Sequence, residues 1–189
     1  MKIRHVILDR DGVLNQEAPD SGYVRTPDGF HWLPGALEGL ALLRGSGVRI
    51  SVATNQSGVG RGLMSLEQLE AVHDKMRSAA ARAGGAIDAV FFCPHAPEAG
   101  CTCRKPAADL IRAAVATAGI SAAETLVVGD DRRDLEAARR AGVAAALLRT
   151  GKGPRNEPLA RELDVPVYDD LPAVARAILD DSLHVRVPA

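Results

Sequence analysis

The chain reads as a three-layer α/β domain with a mostly parallel sheet, and three observations predict this. Short apolar runs alternate with longer stretches of helical periodicity along the chain. The short runs are apolar at successive positions, as strands buried on both faces are. Gly and Pro residues punctuate the joins.

Taken in order, Val6–Leu8 is the first expected strand. Ala36–Arg44 follows as a helix, with Leu37, Leu40, Ala41 and Leu43 apolar and Gly45 and Gly47 to end it. Val48–Ala53 is the second strand. Leu66–Ala83 is a helix with apolar residues at Leu66, Leu69, Val72, Met76 and Ala79/Ala80. Ser65 and Gln68 match a capping box at its start, and Gly84-Gly85 stops it. Ala89–Phe92 is the third strand, and the helix Ala107–Ala118 lies between Pro106 and Gly119. The strand Thr125–Val128, the helix Arg132–Ala141 and the strand Ala144–Leu148 come next. The Gly151–Pro158 stretch reads as a loop. Two weaker helices, Pro158–Leu163 and Pro172–Leu179, flank an edge strand at Val167–Tyr168. The tail after Asp181 is expected to fray. No linker divides the chain, so a single domain over 1–189 is expected.

Composition excludes several function classes. Of 189 residues, 47% are hydrophobic and 25% charged, which suits a soluble globular protein. A net charge of −1 gives no basic field for nucleic acid. No apolar run approaches the ~20 residues that span a bilayer, so no membrane partner is expected. The segment Met1-Lys2-Ile3-Arg4-His5 runs straight into a core strand and does not resemble a signal peptide. A cytoplasmic monomer is the expectation.

Four polar signals follow four of the strands. They are Asp9-Arg10-Asp11, Thr54-Asn55-Gln56-Ser57-Gly58, Arg104-Lys105-Pro106 and Gly129-Asp130-Asp131, with Asp134 one helical turn on. Taken singly, each has an ordinary explanation as a turn, a helix cap or a solvated charge. Together they fall at one end of a parallel sheet, where open α/β sheets hold ligands. Their residue types suit phosphate ester cleavage. Asp9 can attack phosphorus and carry an aspartyl phosphate, while Asp11 can protonate the leaving alkoxide and later activate water. Thr54 and nearby backbone N–H groups can bond phosphoryl oxygens, and Lys105 supplies a compact positive charge. Asp130 completes an oxygen-rich Mg²⁺ site with Asp9 and a backbone carbonyl.

A second constellation is Cys93-Pro94-His95, followed after five residues by Cys101-Thr102-Cys103. Three thiols and an imidazole make the four ligands of a structural zinc site. Zn²⁺ bound by Cys93, His95, Cys101 and Cys103 would stiffen the loop that leads into Arg104 and Lys105. A disulfide between two of the cysteines is the lesser alternative.

These motifs resemble those of the haloacid dehalogenase superfamily of phosphatases. Asp9-x-Asp11 resembles its first motif, Thr54 its second, Lys105 its third and Gly129-Asp130 its fourth. The resemblance implies a Rossmann-like fold, Asp9 as nucleophile and Asp11 as general acid/base. It implies Mg²⁺ held by Asp9, Asp130 and the Asp11 carbonyl. No insertion is long enough for a separate cap domain, so loops at Asn15–Tyr23, Gly58–Met64 and the cysteine loop should enclose a small substrate. The Asp9–Asn15 stretch, Gly22-Tyr23-Val24, Thr54–Gly58, the cysteine loop and Arg104-Lys105-Pro106 resemble one subgroup. Its members act on heptose 1,7-bisphosphate, at C7, or on histidinol phosphate. That resemblance implies a small phosphorylated sugar as partner and a step towards lipopolysaccharide precursors. It gives Arg104 a part in recognising the substrate, where a second phosphate at C1 would suit a cation. Asn15, Glu17 and Asp20 offer partners for hydroxyls, and Asn55, Gln56 and Ser57 are further candidates for binding the substrate. A zinc-loop binding module without catalysis is the remaining alternative. His5, His31, His73 and His184 lack a paired ligand pattern and are expected to serve packing or surface roles.

Overall fold

The computed structural model describes residues 2–18 and 22–186. Asp20 lies outside the described residues. Six strands form one all-parallel sheet: β1 (His5–Leu8), β2 (Arg49–Asn55), β3 (Ala89–Cys93), β4 (Thr125–Gly129), β5 (Ala144–Leu148) and β6 (Val167–Tyr168). The helices are α1 (Ala36–Gly45), α2 (Leu66–Arg82), α3 (Asp109–Ala118), α4 (Arg132–Ala141), α5 (Gly153–Glu162) and α6 (Leu171–Leu179).

The strand order is β3-β2-β1-β4-β5-β6. The chain builds outward from β1 on one side, then returns across it to lay β4 on the other. The switch between β1 and β4 opens a crevice at the carboxyl ends of the strands. Helices cover both faces, and alternation along β1 shows how. Val6 and Leu8 pack with Leu40, Leu43, Val72, Met76 and Val174, from α1, α2 and α6. Ile7 points the other way, to Ile111, Leu135, Ala138 and Ala160, from α3, α4 and α5.

Local signals explain the boundaries. The capping box expected at Ser65 is present, with Ser65 and Gln68 each accepting the other's backbone N–H. Two helices, α3 and α4, end in a left-handed turn, and glycine stands at each, Gly119 and Gly142. The 151–158 loop is a correction, because α5 already starts at Gly153. Pro154 sits in the first helical turn, where its missing N–H costs nothing. Pro158 therefore lies inside the helix, not at its start. Asn156 donates to the carbonyls of Lys152 and Asp130, at 3.1 and 3.0 Å, tying that early turn to the β4 end. The frayed tail is a second correction over the described part, since Leu183 and Val185 pack against the core.

Candidate active site and cysteine cluster

The carboxyl ends of β1, β2 and β4 deliver the site. Backbone pairing continues one residue past β1, with the Asp9 N–H donating to the Val128 carbonyl at 3.0 Å. That registers Asp9 beside the β4 exit, where Asp130 sits. Gly12 then turns the chain with φ +86°, and a Cβ there would lie 2.2 Å from Asp130 Oδ2. Gly151 walls in the same oxygen from the other side, at 2.1 Å from its own hypothetical Cβ. The close approach of the Asp130 carboxylate requires glycine at both positions.

A cavity of about 400 Å³ opens over these strand ends. Asp9, Asp11, Thr54, Lys105 and Asp130 line it, as do Glu17, Asn55, Ser57 and Arg104. The 58–64 loop does not reach its lining. It packs instead on the cysteine loop, where the Gly60 N–H donates to the Pro94 carbonyl at 2.8 Å.

Lys105 is the buried centre of charge. Its Nζ lies 3.0 Å from Asp9 Oδ1 and 2.6 Å from Asp134 Oδ1, and donates to the Ala53 carbonyl at 2.7 Å. Burial alone would lower its pKa, but Asp134 and Asp9 outweigh that and raise it. Asp9 Oδ1 also accepts from the Arg10 N–H at 2.7 Å. Burial pushes Asp9 up to about 6, with Lys105 opposing and Asp134 and Asp11 adding to it. Burial, then repulsion from Asp9 and Asp134, pushes Asp130 up to about 8. Its Oδ2 accepts from the Lys152 N–H at 2.7 Å.

Oxygens of Asp9, Asp130 and Asp134 lie within 4.8 Å of one another. Lys105 pairs with two of these three carboxylates, Asp9 and Asp134, so negative charge remains on the cluster and its hard oxygen set suits a divalent cation such as Mg²⁺. Both Asp134 oxygens are already engaged, one by Lys105 and the other by the Asp131 N–H at 3.1 Å. Asp134 thus closes the capping box of α4 and steadies Lys105.

Asp11 turns its carboxylate away from that cluster. Arg10 Nη2 donates to both its oxygens at 3.0 Å, Asn15 Nδ2 to Oδ1 at 2.9 Å and Gln56 Nε2 to Oδ2 at 2.8 Å. Burial would raise its pKa, but Arg10, Asn15 and Gln56 outweigh it and hold Asp11 below the usual carboxylate range. Gln56 Nε2 also donates to Thr54 Oγ1 at 2.9 Å. The Asn55 amide clamps the Lys105 backbone, accepting from its N–H at 3.0 Å and donating to its carbonyl at 2.9 Å. Ser57 Oγ and the Tyr23 hydroxyl are 2.9 Å apart. Arg104 presents a buried Nη1 with no hydrogen-bond partner among the described residues. Glu17 pairs with Lys152.

The sequence did not single out Lys152 or Arg133, which also line the cavity; Tyr23, quoted with its motif and loop, lines it too. Lys152 follows a glycine just beyond β5, the strand-end signal used for the other four motifs. Arg133 stands in the first turn of α4 and grips Asp131 at 2.8 Å. Sequence gives no sign of that pairing, because Asp131 and Arg133 read as ordinary helix-start residues.

The cysteine loop forms its own cluster. Cys93 Sγ lies 3.6 Å from Cys101 Sγ and 3.3 Å from Cys103 Sγ, and the Cys101–Cys103 separation is 3.6 Å. His95 Nδ1 lies 3.3 Å from Cys103 Sγ and 3.6 Å from Cys93 Sγ. All three cysteines are free, which removes the disulfide alternative. A tetrahedron with metal–sulfur bonds of about 2.3 Å has edges of roughly 3.8 Å, so the four ligands fit zinc. Among the described residues, no helix is long and apolar enough to cross a membrane.

Comparison with known proteins agrees with this geometry. Residues 102–174 match the family described as "HAD-hyrolase-like". The chain is 42% identical to the D-glycero-beta-D-manno-heptose-1,7-bisphosphate 7-phosphatase of Bordetella bronchiseptica, over 94% of this chain and 98% of the relative. It is 40% identical to the enzyme of the same name from Pseudomonas aeruginosa, covering 92% and 97% of the two chains. A crystal structure of D,D-heptose 1.7-bisphosphate phosphatase from B. bronchiseptica, complexed with magnesium and phosphate, superposes with a TM-score of 0.87 at 42% identity. That match covers 96% of this chain and 99% of the other. The chain belongs to the haloacid dehalogenase-like family of phosphatases.

Proposed function

We propose that this protein removes the C7 phosphate of D-glycero-D-manno-heptose 1,7-bisphosphate, with Mg²⁺, through an aspartyl phosphate on Asp9. The observation that carries the substrate is the identity, along nearly the whole chain, to relatives named for that reaction. The cavity supports the chemistry. Asp9 Oδ1 is held by Lys105 and the Arg10 N–H, so Oδ2 is the oxygen that attacks phosphorus. The bond from phosphorus to the C7 oxygen breaks, and Asp11 gives that oxygen a proton as it leaves, having taken that proton up once the anionic phosphates beside it offset the hold of Arg10 that otherwise keeps it ionised. Asp11 then takes a proton from the water that cleaves the aspartyl phosphate. Lys105 and the Thr54 hydroxyl bind phosphoryl oxygens as charge develops there.

Asp9, Asp130 and the Asp11 carbonyl would hold Mg²⁺, which when bound neutralises charge on the phosphoryl group. Arg104, with its free Nη1, and Lys152 offer cations to a second phosphate at C1. Asn15, Asn55, Gln56 and Ser57 support the proposal mainly by fixing Asp11, Lys105 and Tyr23. Zn²⁺ bound by Cys93, His95, Cys101 and Cys103 would hold the backbone leading to Lys105. The chain is proposed to work as one domain, since a single sheet carries every site loop, and as a cytoplasmic monomer.

Turnover measured side by side on heptose 1,7-bisphosphate and histidinol phosphate tests the substrate. A higher kcat/KM on the bisphosphate is expected. Faster release from histidinol phosphate would overturn the choice of substrate while leaving the phosphatase chemistry in place.

A further inference from the structure

Arg10 is fully buried, which is costly for a guanidinium unless its partners are well placed. It leaves the strand end and turns inward, where Nη2 grips both oxygens of Asp11. Its Nη1 lies 3.4 Å from Nε2 of His73, a fully buried residue in the second turn of α2. Arginine can only donate, so the His73 nitrogen facing it is the unprotonated acceptor. His73 is held neutral: burial and then the Arg10 and Arg77 charges push its pKa down to about 3. Its ring rests against Phe92 of β3, with centroids 5.6 Å apart. Arg10 is its one hydrogen-bond partner among the described residues.

We propose that His73 is a positioning residue for phosphate ester cleavage, setting the Arg10 guanidinium that in turn fixes the Asp11 carboxylate. His73 does not line the cavity, so its effect passes through Arg10. A second nitrogen contact stops the guanidinium from rotating about its bond to Asp11. The planar fork then presents one orientation to the carboxylate. The proposal rests on Asp11 acting as general acid, as set out above.

The test compares two substrates that differ in their need for an acid. An alkyl phosphate expels an alkoxide and needs a proton, whereas 2,4-dinitrophenyl phosphate expels a stable phenolate and does not. The ratio kcat/KM reports the step that expels the leaving group. His73→Leu keeps apolar bulk and loses the acceptor, while His73→Gln offers an amide oxygen in place of Nε2. We expect His73→Leu to lose about 10-fold or more on the alkyl phosphate and under about 3-fold on the aryl phosphate. His73→Gln should recover most of the loss. Should His73→Leu not fold, His73→Met gives the same comparison with a more adaptable side chain.

Equal losses on both substrates would show that the ring only fills space, and no loss on either would show that Arg10 needs no support. Both outcomes overturn the proposal. Asp11→Asn on the same pair is the control for the parent assignment. If that variant shows no leaving-group dependence, the acid role of Asp11 fails, and this is distinct from a failure of His73.

Discussion

The Lys105 ammonium lies 3.0 Å from the Asp9 carboxylate, joining the loop after β3 to the end of β1 inside a buried cluster of acids. Asp134 holds the other side of the same ammonium at 2.6 Å. Replacing Lys105 with Met should therefore leave two buried carboxylates without their counter-charge. A loss of about 3–5 kcal/mol in denaturant unfolding without divalent metal is expected. Phosphate release should fall as well. A loss below about 1 kcal/mol would mean that the cluster is solvated and Lys105 is not its organiser.

Gly12 is required by both its φ of +86° and the Asp130 oxygen beside it. Gly12→Ala should destabilise the protein by about 1–3 kcal/mol, from backbone strain and displacement of Asp130. Activity should fall further than stability explains, because Asp130 moves. Wild-type turnover in this variant would show that the Asp130 position is tolerant.

His5 lies fully buried in the sheet, with Nε2 2.9 Å from Ser51 Oγ. Burial, then the Arg49 charge, lowers its pKa to about 4. The unfolded chain therefore binds a proton, with a pKa near 6.5, that the folded chain refuses down to about 4. Stability from this group is present above the unfolded value and is lost as pH falls through that window. The loss should be on the order of 3 kcal/mol by pH 4. Urea unfolding between pH 7 and 4 should show a steeper decline for the wild type than for His5→Gln. Parallel declines would mean that His5 titrates normally.

The cysteine cluster predicts about one equivalent of zinc in purified protein. Cys101→Ser should lose most of that zinc and destabilise the loop before Lys105, lowering turnover. Native folding with no zinc in the wild type would contradict the site. Removing Mg²⁺ with a weak chelator should stop turnover without unfolding this loop.

Much of this organisation is legible in the sequence. The strands are apolar on both faces, so β1 to β5 stand out without alternation. The Ser65 capping box and Gly84-Gly85 bracket α2 from local chemistry alone. The Gly151–Pro158 segment misleads because two prolines suggest a loop, while the first occupies the helix start and tertiary contacts of Asn156 hold the turn. In the site, Asp9 and Asp130 are visible because each follows a strand, Thr54 because it stands at the end of β2, and Lys105 because the cysteine loop leads into it. His73 is not, since its partner Arg10 is 63 residues away and meets it only once α2 packs on the sheet. The Asn55 clamp on Lys105 is hidden for the same reason. Local patterns reveal which residue types stand at strand ends, but a contact between distant segments depends on the assembled packing.

The central claim is that Asp9 is the nucleophile of a phosphatase. The most direct measurement is Mg²⁺-supported phosphate release from heptose 1,7-bisphosphate by Asp9→Asn beside the wild type, with unfolding followed on both. The substitution keeps the shape of the side chain and removes its charge. Release should fall at least about 10³-fold while the variant stays folded. Release at the wild-type rate by a folded Asp9→Asn protein would contradict the account.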